Sequence, residues 1–259
     1  MPKPKTEPFS IVNQNGTSAY VLSCEHASFY IPEHLSQLGL DPKIIRRHIG
    51  WDIGAANVTN ELSSSLDAIS VHSNVSRLVI DCNRHPDHPT SIPEISDNTV
   101  IPGNMDISKD DRADRLKNYF QPYHDALRQT LNGALHRHPN RAPALVSIHS
   151  FTPSMGGFNR PWHIGILWDR DQRLAQLLVS TLGTNTDLVI GENEPYSGHD
   201  MAGHSIRYHA QNRGIPNVLI EVRQDLISTP KGVKTWAKQL HDALEEAARH
   251  PDLLTMDPP

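Results

Sequence analysis

Two histidines in this sequence stand at the ends of short apolar runs. His26 ends the stretch Ser23-Cys24-Glu25-His26, and His149 sits in Ser147-Ile148-His149-Ser150. A neutral imidazole is a good zinc ligand, and a catalytic zinc takes three protein ligands and keeps a position for water. Each residue also fits a hydrogen-bonded strand-end histidine, so the pair alone leaves both readings open. A further run, Leu78 to Cys82, is entered by Arg77 and left by Asn83-Arg84. The planar guanidinium fork suits a bidentate grip on a carboxylate. A surface ion-pair cluster would use the same residue types, and Asp81 reads as a structural partner for a neighbouring arginine or backbone amide. Glu221 lies inside the apolar run Leu219-Ile220-Glu221-Val222-Arg223. A carboxylate is costly to bury unpaired. Either Arg223 or another cation satisfies it, or it is a functional base. The polar loop from Glu192 to His199 offers the Tyr196 hydroxyl over a pocket, or is an ordinary surface turn.

These side chains can meet only if the strands carrying them end on one side of a sheet. Ala19 to Cys24, Ala68 to Ser73, Leu78 to Cys82, Ala144 to Ile148, His163 to Trp168, Asp187 to Ile190 and Asn217 to Val222 read as strands. Several are continuously apolar, as strands covered on both faces are. Helical patterns lie between them at Asn57 to Leu66, Ser108 to His136, Asp171 to Leu182, His204 to Gln211 and Gly232 to Arg249, with Ser108 as the N-cap of the longest. The alternation predicts an α/β sandwich with a mainly parallel or mixed central sheet flanked by helices. In such folds ligands bind beyond the carboxyl ends of the strands, where the residues above stand. Proline and glycine gather in Pro86 to Gly103 and Thr152 to Pro161, long loops of the kind that carry function.

The 259 residues show no repeat and no interdomain linker, which predicts one domain over the whole chain. A net charge of -5 with both signs interspersed gives no case for nucleic acid or an anionic membrane surface. The two cysteines, Cys24 and Cys82, lie in apolar runs and read as small buried residues rather than a disulfide framework. The polar N-terminus has no apolar signal core, and no run approaches the length of a membrane span, so a soluble cytoplasmic protein is expected. Sixteen histidines suggest metal or proton chemistry, although His136, His138 and His250 sit among polar residues and read as solvated. No Gly-x-Ser-x-Gly elbow argues for a serine hydrolase.

Taken in order, Ser147-Ile148-His149-Ser150-Phe151, Asn83-Arg84 and Ile220-Glu221-Val222-Arg223 resemble the zinc carboxypeptidase pattern of a histidine ligand, a carboxylate-gripping pair and a late glutamate base. A closer resemblance is to the N-formylglutamate amidohydrolases. It is carried by Glu25-His26-Ala27-Ser28, Trp51-Asp52-Ile53-Gly54, Ser76 to Arg84, Ile101-Pro102-Gly103-Asn104 and Asn193-Glu194-Pro195-Tyr196-Ser197, and spans roughly Ala19 to Leu226. One departure matters. Carboxypeptidases carry His-x-x-Glu, and the third residue after His26 is Phe29, which cannot ligate a metal. The missing carboxylate is Asp52 or Glu25. Asp52 is preferred, because neighbouring strand residues point to opposite faces and would separate Glu25 from His26.

The resemblance implies a zinc carboxypeptidase-like (phosphorylase/hydrolase-like) sandwich with one zinc per chain, held by His26, Asp52 and His149. It implies hydrolysis of a small N-acyl amino acid of the N-formylglutamate type. Glu221 would be the general base, Arg77 would stabilise the oxyanion, and Asn83 and Arg84 would hold a substrate carboxylate. Tyr196, His204 and Arg207 would close over the pocket. The rival readings are a carboxypeptidase-like peptidase, a deacylase of another acylated amino acid, or a relative that binds such a compound without cleaving it.

Overall fold

A computed structural model describes residues 7–139, 141–197 and 203–256. Eleven strands occur among them: β1 (Phe9–Val12), β2 (Tyr20–Cys24), β3 (Ile69–Ser73), β4 (Ile95–Ser96), β5 (Thr99–Val100), β6 (Ala144–Phe151), β7 (Ser154–Met155), β8 (Phe158–Asn159), β9 (Ile164–Leu167), β10 (Ile190–Glu192) and β11 (Asn217–Arg223). The α-helices are α1 (Pro42–Ile45), α2 (Ala55–Ser65), α3 (Lys109–Arg115), α4 (Gln121–Arg137), α5 (Arg173–Leu182), α6 (His204–His209) and α7 (Pro230–Ala248).

Seven strands form one mixed sheet in the order β1-β3-β2-β6-β11-β9-β10, while β4-β5 and β7-β8 are two-stranded ribbons. The central strands β3, β2, β6 and β11 run parallel; β1 and β9 are antiparallel to their inner neighbours. Period-two alternation sorts the buried side chains to two faces. Leu22, Val146, Ile148, Val218 and Ile220 meet α2, α5 and α7 on one face. Val21, Leu145 and Leu219 meet the apolar residues of α4 and the long loops on the other. Glu25, His149 and Glu221 continue this second set, so the alternation that builds the core also aims them at one side. No helix among the described residues is long and apolar enough to cross a membrane.

Three elements differ from expectation. The strand expected from Asp187 to Ile190 lies later, at Ile190–Glu192. Leu78 to Cys82 is not a strand. Its apolar side chains are buried, but turns and side chains satisfy its backbone: Arg115 Nη1 donates to the Val79 carbonyl and Asn104 Nδ2 to the Leu78 carbonyl. The place beside β3 is taken instead by β1, an edge strand too short to show a pattern. The single helix expected from Ser108 to His136 is divided by a π turn over Leu116–Phe120. Pro122, in the first turn of α4, has no N–H to donate, and the extra residue absorbs the lost bond. Ser108 caps α3 as expected, accepting from the Asp111 amide. Cys24 and Cys82 are buried free thiols.

Candidate metal centre and active site

Beyond the carboxyl ends of β2, β6 and β11 lies a cavity of about 350 Å³, into which His26, Asp52, Asn83, His149 and Glu221 project. Parallel register sets Glu221 on β11 directly beside His149 on β6. On its other side Glu221 faces Gly165 of β9, where any β-carbon would overlap the Glu194 carbonyl. The missing side chain thus lets the loop leading to Tyr196 pass close over the sheet. Asp52 arrives from the turn before α2, its amide bonded to the His26 carbonyl at 3.0 Å. Gly54 ends that turn at φ +85°, against the Ile227 carbonyl, which suits only glycine.

Three buried donor atoms form a tight triangle. His26 Nδ1 is 3.2 Å and His149 Nδ1 2.7 Å from Asp52 Oδ2, and the two nitrogens are 3.1 Å apart. Ligands around a tetrahedral zinc, with bonds of about 2.0–2.1 Å, stand about 3.3 Å from one another. His26 Nε2 is 2.7 Å from Asp81 Oδ1, and His149 Nε2 is 3.1 Å from Glu25 Oε2. An ionised carboxylate only accepts, so with a cation in the triangle each Nε2 would keep its proton and each Nδ1 would turn its lone pair inward. Glu25 also accepts from the Tyr123 hydroxyl at 3.0 Å and the Ser147 hydroxyl at 2.8 Å. Asp81 accepts from Arg77 Nη2 and from the Asn83 amide, both at 2.8 Å.

The charges fit a divalent cation. Burial pushes the Glu25 and Asp52 carboxyls up, but the histidines beside them more than reverse this and hold both below the usual carboxylate range. Asp81 is held low against its burial chiefly by Arg77. Three buried carboxylates thus face one bonded guanidinium, an excess of negative charge. Burial draws the His149 ring down, and its bonds to Asp52 and Glu25 more than offset this, leaving it well above the ordinary imidazole value. Surroundings that favour a proton at that lone pair favour a metal there too, since the two compete for it. Glu221 behaves oppositely: burial pushes its carboxyl up to about 7. Its Oε2 is buried with no hydrogen-bond partner, an orphaned acceptor aimed at the space beside the triangle. The residues present therefore fit a metal ion and a polar ligand next to it.

The sequence from residue 18 to 228 matches the N-formylglutamate amidohydrolase family. The chain belongs to that family. Its fold is shared, at TM-score 0.89 and 35% identity, with gene product Atu2144 from Agrobacterium tumefaciens, covering 93% of this chain and 95% of the other. An N-formylglutamate amidohydrolase from Ralstonia eutropha JMP134 has the same fold at TM-score 0.66 and 19% identity, over 93% and 97% of the two chains. No curated protein matches the sequence significantly.

In this family member, His26, Asp52, Arg77, Asn83, Arg84, His149, Tyr196 and Glu221 all line the one cavity. Glu25 lies outside the triangle, on the far side of the His149 ring. The Asn83 carboxamide is partly committed, its Oδ1 accepting from the Ser205 amide at 3.2 Å. His204 and Arg207 do not reach the cavity. They line a second cleft with His85, His124 and Tyr208, and Arg207 pairs with Asp169 at 3.1 Å. Helix α6 turns them outward while its first amides bind Asn83. His199, at the end of the Tyr196 loop, lies outside the described residues. Three residues at or near the cavity escaped the sequence reading. Tyr123 and the carboxylate–histidine contact of Asp81 depend on tertiary partners. Arg160 sits in a proline- and glycine-rich loop that itself was a signal.

Proposed function

We propose that this protein is a zinc-dependent amidohydrolase that cleaves a small N-acyl amino acid, with N-formylglutamate the first compound to try. The reading rests on the His26–Asp52–His149 triangle, backed by a carboxylate on each histidine and flanked by Glu221. His26, Asp52 and His149 would hold the ion; Glu25 would orient His149 and not ligate. Bound there, zinc would supply Lewis acidity toward a carbonyl oxygen and acidify a water molecule. Glu221, with a carboxyl near neutrality, takes the attacking water's proton and delivers it to the leaving nitrogen. The C–O bond forms, the amide C–N bond breaks, and a short acid and a free amine leave. Arg77 spreads positive charge along the cavity wall while bonded to Asp81, which suits it to a developing oxyanion. Arg84 lines the cavity and makes no side-chain hydrogen bond or ion pair with described residues, so it is available to a substrate carboxylate, with the Asn83 amide beside it. A cavity of about 350 Å³ suits a small substrate better than a peptide. The same proposal includes one catalytic domain over the whole chain and the kinship with zinc carboxypeptidases that the motifs suggest.

The test is Glu221→Gln assayed with a panel of formyl, acetyl and succinyl amino acids. We expect metal content to be kept and turnover to fall about 10²-fold or more. Turnover near wild type would make Glu221 structural and sink the mechanism.

A further inference from the structure

Arg160 follows the ribbon β7-β8 and is buried, with 7% of its surface exposed. A guanidinium does not deprotonate, so a buried one needs an anion or a full set of good acceptors. Among the described residues no carboxylate lies within ion-pairing distance of it. Its acceptors are few and weak. Nη1 reaches Thr152 Oγ1 at 3.1 Å, the Thr152 carbonyl at 3.4 Å and the Tyr196 hydroxyl at 3.2 Å. Nη2 rests on the Met155 thioether sulfur at 3.1 Å. The group lies over the Tyr196 ring at 5.0 Å. Buried Arg115 is also without a bonded acid, yet two backbone carbonyls and the Asn104 amide oxygen take its donors, and it knots the loops together. Arg160 ties down nothing comparable. Thr152, Met155 and Tyr196, which surround it, all line the cavity of the candidate site.

We propose that Arg160 is a specificity-determining residue that takes a second carboxylate of the substrate, Arg84 taking the first. A carboxylate oxygen is a far better acceptor than a thioether, and charge-assisted bonds to arginine are roughly twice as strong as neutral ones. Met155 is 42% exposed and its side chain is unbranched, so it can swing away and yield Nη2 to the incoming anion. Two separate cations that make no ion pair among the described residues, Arg84 and Arg160, then match a ligand with a carboxylate at each end. Tyr196, bonded and stacked on Arg160, is held where it would cover that ligand. This inference rests on the cavity being the substrate site proposed above.

The experiment measures binding by calorimetry with two probes that need no turnover: glutarate, with two carboxylates, and butyrate, with one. We expect the wild-type protein to prefer glutarate by about tenfold or more. Arg160→Met should remove most of that preference, and Arg160→Lys should keep part of it. A wild-type protein with no preference, or an Arg160→Met protein with the preference intact, overturns the proposal. If the methionine variant fails to fold, a crystal structure of wild type with glutarate decides: a carboxylate on the Arg160 guanidinium supports the role, and both carboxylates elsewhere overturn it. Glutarate preference dependent on Arg160 without hydrolysis of any N-acyl amino acid would count against the proposed reaction and leave the Arg160 assignment standing.

Discussion

Two clusters of histidines lie on the same side of the sheet and differ in a single ingredient. At the cavity, His26 and His149 are backed by Asp81 and Glu25 and share Asp52. At the second cleft, His124 and the buried His209 behind it make no ion pair with a carboxylate among the described residues. His124 Nε2 donates to the Cys82 carbonyl at 3.0 Å, so its Nδ1 must accept from His209 Nε2 at 2.8 Å. The electrostatic outcome is opposite. His149 is raised, whereas burial lowers His124 far below the ordinary value, His204 to about 4 and His209 to about 3. Proximity of imidazoles therefore does not by itself give the geometry of a metal site; at the cavity, carboxylates beside the rings add the negative charge a cation would need. Among the described residues, the only grouping with metal-ligand geometry is His26, Asp52 and His149.

The largest effect should come from removing one ring from each cluster. His149→Ala should lose its metal, while His209→Gln, which keeps a donor at the same place, should retain about one equivalent. Elemental analysis of both purified variants checks this, and metal loss from the His209 variant alone would invert the comparison.

A smaller difference should separate the two acids that touch His149. Asp52→Asn removes an assigned ligand, whereas Glu25→Gln weakens only the support behind the ring, a change worth about 10–100-fold in metal affinity. Competition with a chelator should rank Asp52→Asn as the weaker binder. The reverse ranking would move the ligand to Glu25.

The smallest effect is in acid stability. His124, His204 and His209 have depressed folded-state values, so the unfolded chain binds protons near its ordinary pKa of about 6.5 and the folded protein does not. Their contribution is full above that pH and is lost as pH falls toward the folded values of about 4 and 3 for His204 and His209. Thermal melts between these limits should slope less steeply in His209→Gln than in wild type. Parallel curves would mean that His209 titrates as an exposed imidazole.

How much of this was legible in the sequence depended on whether a side chain's role is set along its own strand. His149 and Glu221 drew notice because one ends an apolar run and the other is a charge inside one, and the parallel sheet then aligns the two runs. Asp52 came into view only through the family resemblance, as the preferred of two carboxylates with Glu25 as the alternative. Leu78 to Cys82 misled because burial, not pairing, makes a run apolar, and there Arg115 and Asn104 satisfy the backbone in place of a neighbouring strand. His204 and Arg207 misled because the face a short helix presents is chosen by what it packs on. Arg160 lay within the loop Thr152 to Pro161 that the sequence marked, but nothing singled it out there, since what marks it is the want of an ion-paired acid among the described residues, a property of the folded surroundings.

Gly165 bears a consequence for tolerance to change. It stands directly beside the proposed base, on the neighbouring strand β9, and the space a methyl group would need is occupied by the Glu194 carbonyl. Any side chain there must displace the loop that carries Tyr196, and with Tyr196 one of the Arg160 contacts. The position with no chemistry of its own is thus among the least replaceable around the cavity, because a side chain there could be accommodated only by moving the loop above the strand.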